Sequence, residues 1–211
     1  MSSRKVRGGV ELRAEKTYLS LTMTEFINDV AAKTPSPGGG CVAANVGALA
    51  AATARKVLHY SIEQERPADQ QAHLKTMLTA LERAGDIFGQ LMSEDTAAVE
   101  RFSAARKSGD AEQLKLAIAT LVALPMEVRG LAGAVAARVD EIKRDVSAFM
   151  LSELKIAAIL SYASARSACA IARINLQNLE DRKEADRLEA QLDVQIARAG
   201  RHRNAVVHYQ L

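Results

Sequence analysis

Asp95 is the residue whose setting in the chain most calls for chemistry. Leu74, Leu81, Phe88 and Phe102 recur on one seven-residue frame, and Asp95 falls on that same frame. A carboxylate therefore occupies a position where the pattern wants an apolar side chain. Desolving such a group unpaired costs several kcal/mol and raises its pKa, so it needs a partner, a wet cleft or a cationic ligand. A lysine or a helix N-terminus would make Asp95 structural; a cleft would make it a general acid/base. Glu94, one step off the stripe, belongs at the edge of such a cleft or in solvent.

Other residues offer weaker chemistry. In Thr34-Pro35-Ser36-Pro37-Gly38-Gly39-Gly40 the glycines let backbone N–H groups approach a ligand, and the run feeds a helix whose N-terminus attracts anions. A tight interhelix turn explains it equally well, and no Gly-Lys-Ser/Thr follows to make a Walker loop. Asp145 is placed to cap the helix after it. Asn175 sits near the end of an apolar helix, where its amide can cap the C-terminus or bond a neighbouring helix. His59, His73, His202 and His208 show no ligand spacing, and no nucleophile elbow or dinucleotide fingerprint occurs. Metal, redox and covalent-hydrolase chemistry lack their parts in the sequence.

The elements that must position these groups are helices. Alanine makes up about a fifth of the chain and glycine and proline are few, which favours helix over strand or coil. Thr22-Met-Thr-Glu25 has capping-box spacing and opens a helix that must stop near Lys33. An Ala-rich, nearly apolar helix runs from the glycines to about Tyr60, and the heptad-patterned one spans about 68–106. Asp110-x-x-Gln113 opens the next, which Pro125 should kink or split before it resumes to about Val139. Asp145 precedes a weakly polar helix to Leu176, and a charged one spans about 181–199. The reading is an all-α bundle with long antiparallel helices, the small residues implying close packing and a dimer interface.

Charge is unevenly placed. Residues 1–21 hold five Lys/Arg against two Glu, and Arg198, Arg201 and Arg203 lie near the other end, leaving 20 basic against 23 acidic side chains over 22–197. We therefore read a basic N-terminal arm (1–21), a helical domain (22–199) and a basic C-terminal tail (200–211). A face built to neutralise phosphate would carry its excess on the folded body, so no nucleic-acid partner is expected. Cys41 and Cys169, 128 positions apart in apolar stretches, read as reduced core residues of a cytoplasmic protein. No secretion signal is seen, and the most apolar segment, 41–54, is too short and Ala-rich to span a bilayer, so no membrane partner is expected.

The opening Glu25-Phe26-x-x-x-Val30-Ala31-Ala32-Lys33, followed by Pro35-Ser36-Pro37-Gly38-Gly39-Gly40-Cys41-Val42-Ala43-Ala44, closely resembles that of the cyclodeaminase/cyclohydrolase family. That family comprises the C-terminal half of formiminotransferase-cyclodeaminase and free-standing methenyltetrahydrofolate cyclohydrolases. The resemblance continues in order through Asp95-x-x-Ala98-Val99, Leu124-Pro125-Met126-Glu127-Val128, Asp145, and Arg173-Ile174-Asn175-Leu176 to Asp181, covering about 21–199. Cys41 stands where the family usually has Ser, residues 61–66 replace a Lys-rich step with Glu63 in it, Ile171 replaces an Asn, and Arg144 replaces a Ser.

The resemblance implies an all-helical fold, a homodimer or larger assembly, and one-carbon chemistry on a tetrahydrofolate derivative as substrate, with no metal or cofactor. By the same resemblance Asp95 is the acid/base, Ser36, Gly38, Gly39, Gly40 and Cys41 border the folate, and Asp145 and Asn175 line or brace the pocket. The implied reaction is hydrolysis of 5,10-methenyltetrahydrofolate to 10-formyltetrahydrofolate, favoured because the chain carries no fused formiminotransferase domain. The alternatives are a formiminotetrahydrofolate cyclodeaminase releasing ammonia, or a non-catalytic pterin-binding or scaffold paralogue.

Overall fold

The computed structural model describes residues 18–210. Residues 1–17 of the expected basic arm lie outside the described residues. Among those described there is no strand; the chain forms six α-helices, α1 (Met23–Ala31), α2 (Gly39–Ile62), α3 (Ala68–Ser108), α4 (Ala111–Glu141), α5 (Leu151–Leu176) and α6 (Arg182–Val207). Single 3-10 turns lie at Tyr18–Ser20, Ile142–Arg144 and Ala148–Met150.

Three N-termini are written in the sequence as capping signals. Thr22 and Glu25 form the capping box of α1, and the carboxylates of Asp110 and Asp181 accept the N–H groups of Gln113 and Glu184, both at 3.1 Å. The start of α5 differs from the expectation. Asp145 closes the 3-10 turn after α4, and its carboxylate and carbonyl face Arg66, so it caps nothing; α5 begins only at Leu151. Pro125 does not split α4, which is one helix through it.

α2 is the central helix, packed between α3 and α5; α4 packs on α5 and α3, and α6 lies across α5 and α4. Pairings along the helices fix their directions. Cys41 meets Asp95 and Arg55 meets Glu82, so α2 and α3 are antiparallel. Ser164 bonds Ala43 and Lys56 bonds Glu153, so α2 and α5 are antiparallel as well.

Small residues set the spacing. Ala43, Ala44, Gly47, Ala50, Ala51 and Ala54 on α2, and Ala157, Ala158, Ala165, Ala168 and Ala172 on α5, are all buried. Ser164 Oγ reaches across to donate to Ala43 O at 2.7 Å, which bulkier neighbours would prevent. A Cβ on Gly47 would stand 2.4 Å from the ring of fully buried Phe88, so only glycine admits that ring. The heptad stripe is where the pattern placed it, with Leu74, Leu81 and Phe88 sealed and Phe102 half-buried.

The last helix continues past the expected boundary at 199, so residues 200–207 are helical rather than a tail. Val206 is fully buried, and His202 Nδ1 lies 2.8 Å from Asp140 Oδ2 while Lys143 Nζ holds Asp140 Oδ1 at 2.5 Å. Burial raises the Asp140 pKa, but the bonds from Lys143 and His202 outweigh it and hold the carboxyl below its usual range.

Both cysteines are free and buried. Arg129 on α4 is buried near Cys169, with Nε and Nη1 lacking hydrogen-bond partners, and burial draws its pKa down. Such an unpaired cation is a cost to the fold. α2, α4 and α5 are each long and apolar enough to cross a membrane by length and composition, which the short segment 41–54 alone did not suggest.

Candidate active site

The carboxylate expected to be out of place on α3 is placed at the start of α2. Asp95 Oδ2 accepts the N–H of Cys41 at 2.9 Å, and Oδ1 lies against the Cα of Gly40, where an added Cβ would stand 2.0 Å from it. Gly38, the residue capping α2, has no side chain to satisfy the first-turn donors. Asp95 supplies that cap from another helix, so one of the two structural partners considered above is the one it finds.

The cap leaves chemistry available. Asp95 is 9% exposed, and burial pushes its carboxyl above the usual range, opposed by the hydrogen bond from Cys41. Oδ1 takes no hydrogen bond from a described residue. The N–H groups of Gly39 and Gly40, next to it, have no described partner either, and Gly39 is exposed. A proton acceptor and two donors thus lie at the positive end of α2, with Gly39 exposed and Gly40 and Asp95 buried. The Cys41 thiol, by contrast, is fully buried and pushed up to about 12, by burial first and by Asp95 second, so it is no nucleophile at neutral pH.

The loop before α2 holds the other expected residues. Thr34 Oγ1 donates to Ser36 O at 2.9 Å, and the Ser36 Oγ is buried without a partner. α5 closes the corner from the far side: Ile171 Cδ1 would lie 3.4 Å from a Cβ on Gly39. One turn further along the same face is Asn175, whose Nδ2 donates to Leu121 O at 2.5 Å, the interhelix bond that was one of its two readings.

Asp145 is not brought to this corner. It is held by Arg66, beyond the C-terminal end of α2, while Asp95 is at the N-terminal end, and a helix of 24 residues spans roughly 36 Å. The antiparallel pairing of α2 with α5 separates them. A cavity of about 320 Å³ lies elsewhere again, lined by Arg173, Gln177, Arg182 and Glu189 between α5 and α6. Helical periodicity puts Arg173 and Gln177 on the opposite side of α5 from Ile171 and Asn175.

Arg66 and Leu121 are the contacts not foreseen. Arg66 carries no positional signal beyond its charge. Leu121 could have been found, because it lies four residues before Pro125 and so loses its helical donor. No group of three or more His, Cys, Asp or Glu among the described residues could hold a metal ion.

Three comparisons place this geometry among known proteins. A family model described as formiminotransferase-cyclodeaminase matches residues 22–194. The chain is 24% identical over 188 residues to a methenyltetrahydrofolate cyclohydrolase of Methylorubrum extorquens, covering 85% of this chain and 90% of that protein. It is similar to the crystal structure of a formiminotetrahydrofolate cyclodeaminase from Thermotoga maritima, with a TM-score of 0.82 and 25% identity, covering 90% of this chain and 96% of that one.

Proposed function

We propose, from the premise that this chain belongs to the formiminotransferase-cyclodeaminase family, that it is a folate one-carbon enzyme hydrolysing 5,10-methenyltetrahydrofolate to 10-formyltetrahydrofolate. The relative named for that reaction covers most of both chains. The observation that carries the reading is Asp95, whose Oδ1 is unbonded against Gly40 at the start of α2, where the N–H groups of Gly39 and Gly40 have no described partner.

The substrate's bridging carbon is an amidinium cation. A carboxylate beside it offsets that charge, and the cation in turn favours the ionised form of a carboxyl that burial holds high. Asp95 Oδ1 takes a proton from water as the water oxygen bonds to the bridging carbon, giving a neutral tetrahedral adduct. The adduct's hydroxyl then loses its proton as the carbon–N5 bond breaks and N5 gains one, leaving the formyl group on N10. The unpartnered N–H groups of Gly39 and Gly40 would stabilise the developing oxyanion. Asp95 finally returns its proton to solvent, so one proton is released per turnover.

The raised carboxyl also suits a second reading, cyclodeamination of 5-formiminotetrahydrofolate, in which a protonated Asp95 would give its proton to the leaving ammonia. The similar solved structure is named for that activity. Enzyme-dependent loss of the near-ultraviolet absorbance of methenyltetrahydrofolate, corrected for spontaneous hydrolysis, tests the first reading. Ammonia release from the formimino substrate tests the second. Acceleration of the former is expected, and ammonia release without it would reverse the order.

The assembly proposed is a homodimer, acting in the cytoplasm without metal or cofactor. Leu49 and Tyr60 on α2, Ile156 and Ile159 on α5, and Phe149 just before α5 are exposed, with the Tyr60 and Phe149 rings 6.5 Å apart. Exposed apolar side chains on two packed helices are the kind that a second copy covers. Sedimentation equilibrium is expected to give twice the chain mass, and Phe149→Asp a lower association constant; a monomer at micromolar concentration would remove the dimer.

A further inference from the structure

The donor that holds Asp95 is a main-chain group of Cys41, and the side chain of that same residue adds no bond to it. Cys41 N–H reaches Asp95 Oδ2 at 2.9 Å, while the Cys41 Sγ makes no hydrogen bond with a described residue. The thiol is fully buried, so it touches no substrate. Burial first and the charge of Asp95 second push it up to about 12, so thiol and carboxylate are near enough to interact.

What the thiol withholds matters. A side-chain atom on Cβ in a gauche rotamer stands roughly 3 Å from its own backbone nitrogen, so an oxygen there would reach an acceptor already bonded to that N–H. A serine in place of Cys41 would thus give Asp95 a second, charge-assisted hydrogen bond, whereas a thiol is a weak donor. Among the described residues no other group compensates. No charged side chain on any helix moves the Asp95 carboxyl; burial and the Cys41 N–H are the two influences on it, and Cys41 is the one titratable group that faces it. Glu94, its neighbour on α3, is exposed.

We propose that Cys41 is a positioning residue for the hydrolysis, its buried thiol keeping Asp95 at a single hydrogen bond and thereby a strong enough base to take a proton from water. The proposal rests on the folate reading above. It assigns Cys41 no contact with the ligand, because Cys41 acts through Asp95.

Cys41→Ser and Cys41→Ala separate this from a packing role, read as kcat/KM for methenyltetrahydrofolate against pH. A second donor favours the ionised carboxylate, so in Cys41→Ser the rise with pH should move about one unit toward acid. The weaker base should lower the plateau about threefold, which leaves Cys41→Ser about threefold faster than the parent on the acid side of the step. Cys41→Ala adds no donor, so its step should stay at the parent's pH whatever its rate. Carbon NMR titration of the Asp95 carboxyl without substrate should show the same shift in Cys41→Ser and none in Cys41→Ala. A step unmoved in Cys41→Ser, or moved equally in both variants, overturns the proposal and leaves the folate reading standing. Failure of Cys41→Ser to fold does the same, because a hydroxyl that Asp95 accepts is not left unpaired. No hydrolysis by the parent overturns both.

Discussion

Gly40→Ala is expected to lower turnover by about 100-fold and stability by about 1–3 kcal/mol. The new Cβ would stand 2.0 Å from Asp95 Oδ1 and 2.8 Å from Oδ2, so the carboxylate must move or the helices must part. Neither is cheap. Asp95 is on a 41-residue helix whose neighbouring turns are locked by Phe88, Leu91, Met92 and Ala98, all buried. Moving the side chain breaks its bond to Cys41 N–H and leaves a buried donor unpaired, while moving α2 disturbs the Gly47–Phe88 contact two turns away.

The adjacent position gives an internal control. A Cβ on Gly39 would meet only the tip of Ile171, at 3.4 Å, a contact the flexible end of that side chain absorbs. Gly39→Ala is therefore expected to leave the urea midpoint nearly unchanged while Gly40→Ala lowers it. If Gly40→Ala kept the parent's turnover, Asp95 would not be the reacting group, since its carboxylate cannot stay where it is beside that methyl.

The sequence makes some of this legible and hides the rest for physical reasons. Capping boxes and heptads are local, and Thr22, Asp110, Asp181, Leu74, Leu81 and Phe88 each do what spacing alone implies. Asp95 stands out because it interrupts an apolar frame, and the glycine run ahead of α2 because it interrupts helix. That the two meet is a tertiary fact: 54 residues separate Cys41 from Asp95, and only the antiparallel return of α3 joins them. Asp145 misleads because a capping residue type competes with a longer-range partner. Arg66 takes its carboxylate and carbonyl, so the helix it seemed to open starts six residues later. The end of α6 was hidden similarly: a basic stretch without acids reads as a tail from 200 on, whereas Val206 burial and the His202–Asp140 bond carry the helix on.

Asp95→Asn is expected to reduce turnover by about 10²–10⁴-fold, the range for a lost general acid/base, without unfolding the chain. The amide oxygen of asparagine can still accept the Cys41 N–H, so the cap of α2 survives and the variant isolates proton transfer from structure. The stability of this pair should depend on pH in a particular direction. Burial holds the Asp95 carboxyl above its usual range, so between the unfolded and folded pKa values the native state binds more protons than the unfolded state. Its contribution is fully present below the unfolded pKa and is lost as pH rises through the folded one. Asparagine has no charge to desolvate, so Asp95→Asn should gain stability relative to the parent between mildly acidic and neutral pH, read as urea midpoints across that range. Turnover should run oppositely: as a general base the parent needs the ionised carboxylate, so kcat/KM should rise with pH through the same raised pKa, and the residual rate of Asp95→Asn should lack that step. A variant less stable than its parent at neutral pH would mean that the N-terminus of α2 favours the ionised form more than burial opposes it. Retained turnover in Asp95→Asn would remove Asp95 from the chemistry and leave it the cap alone.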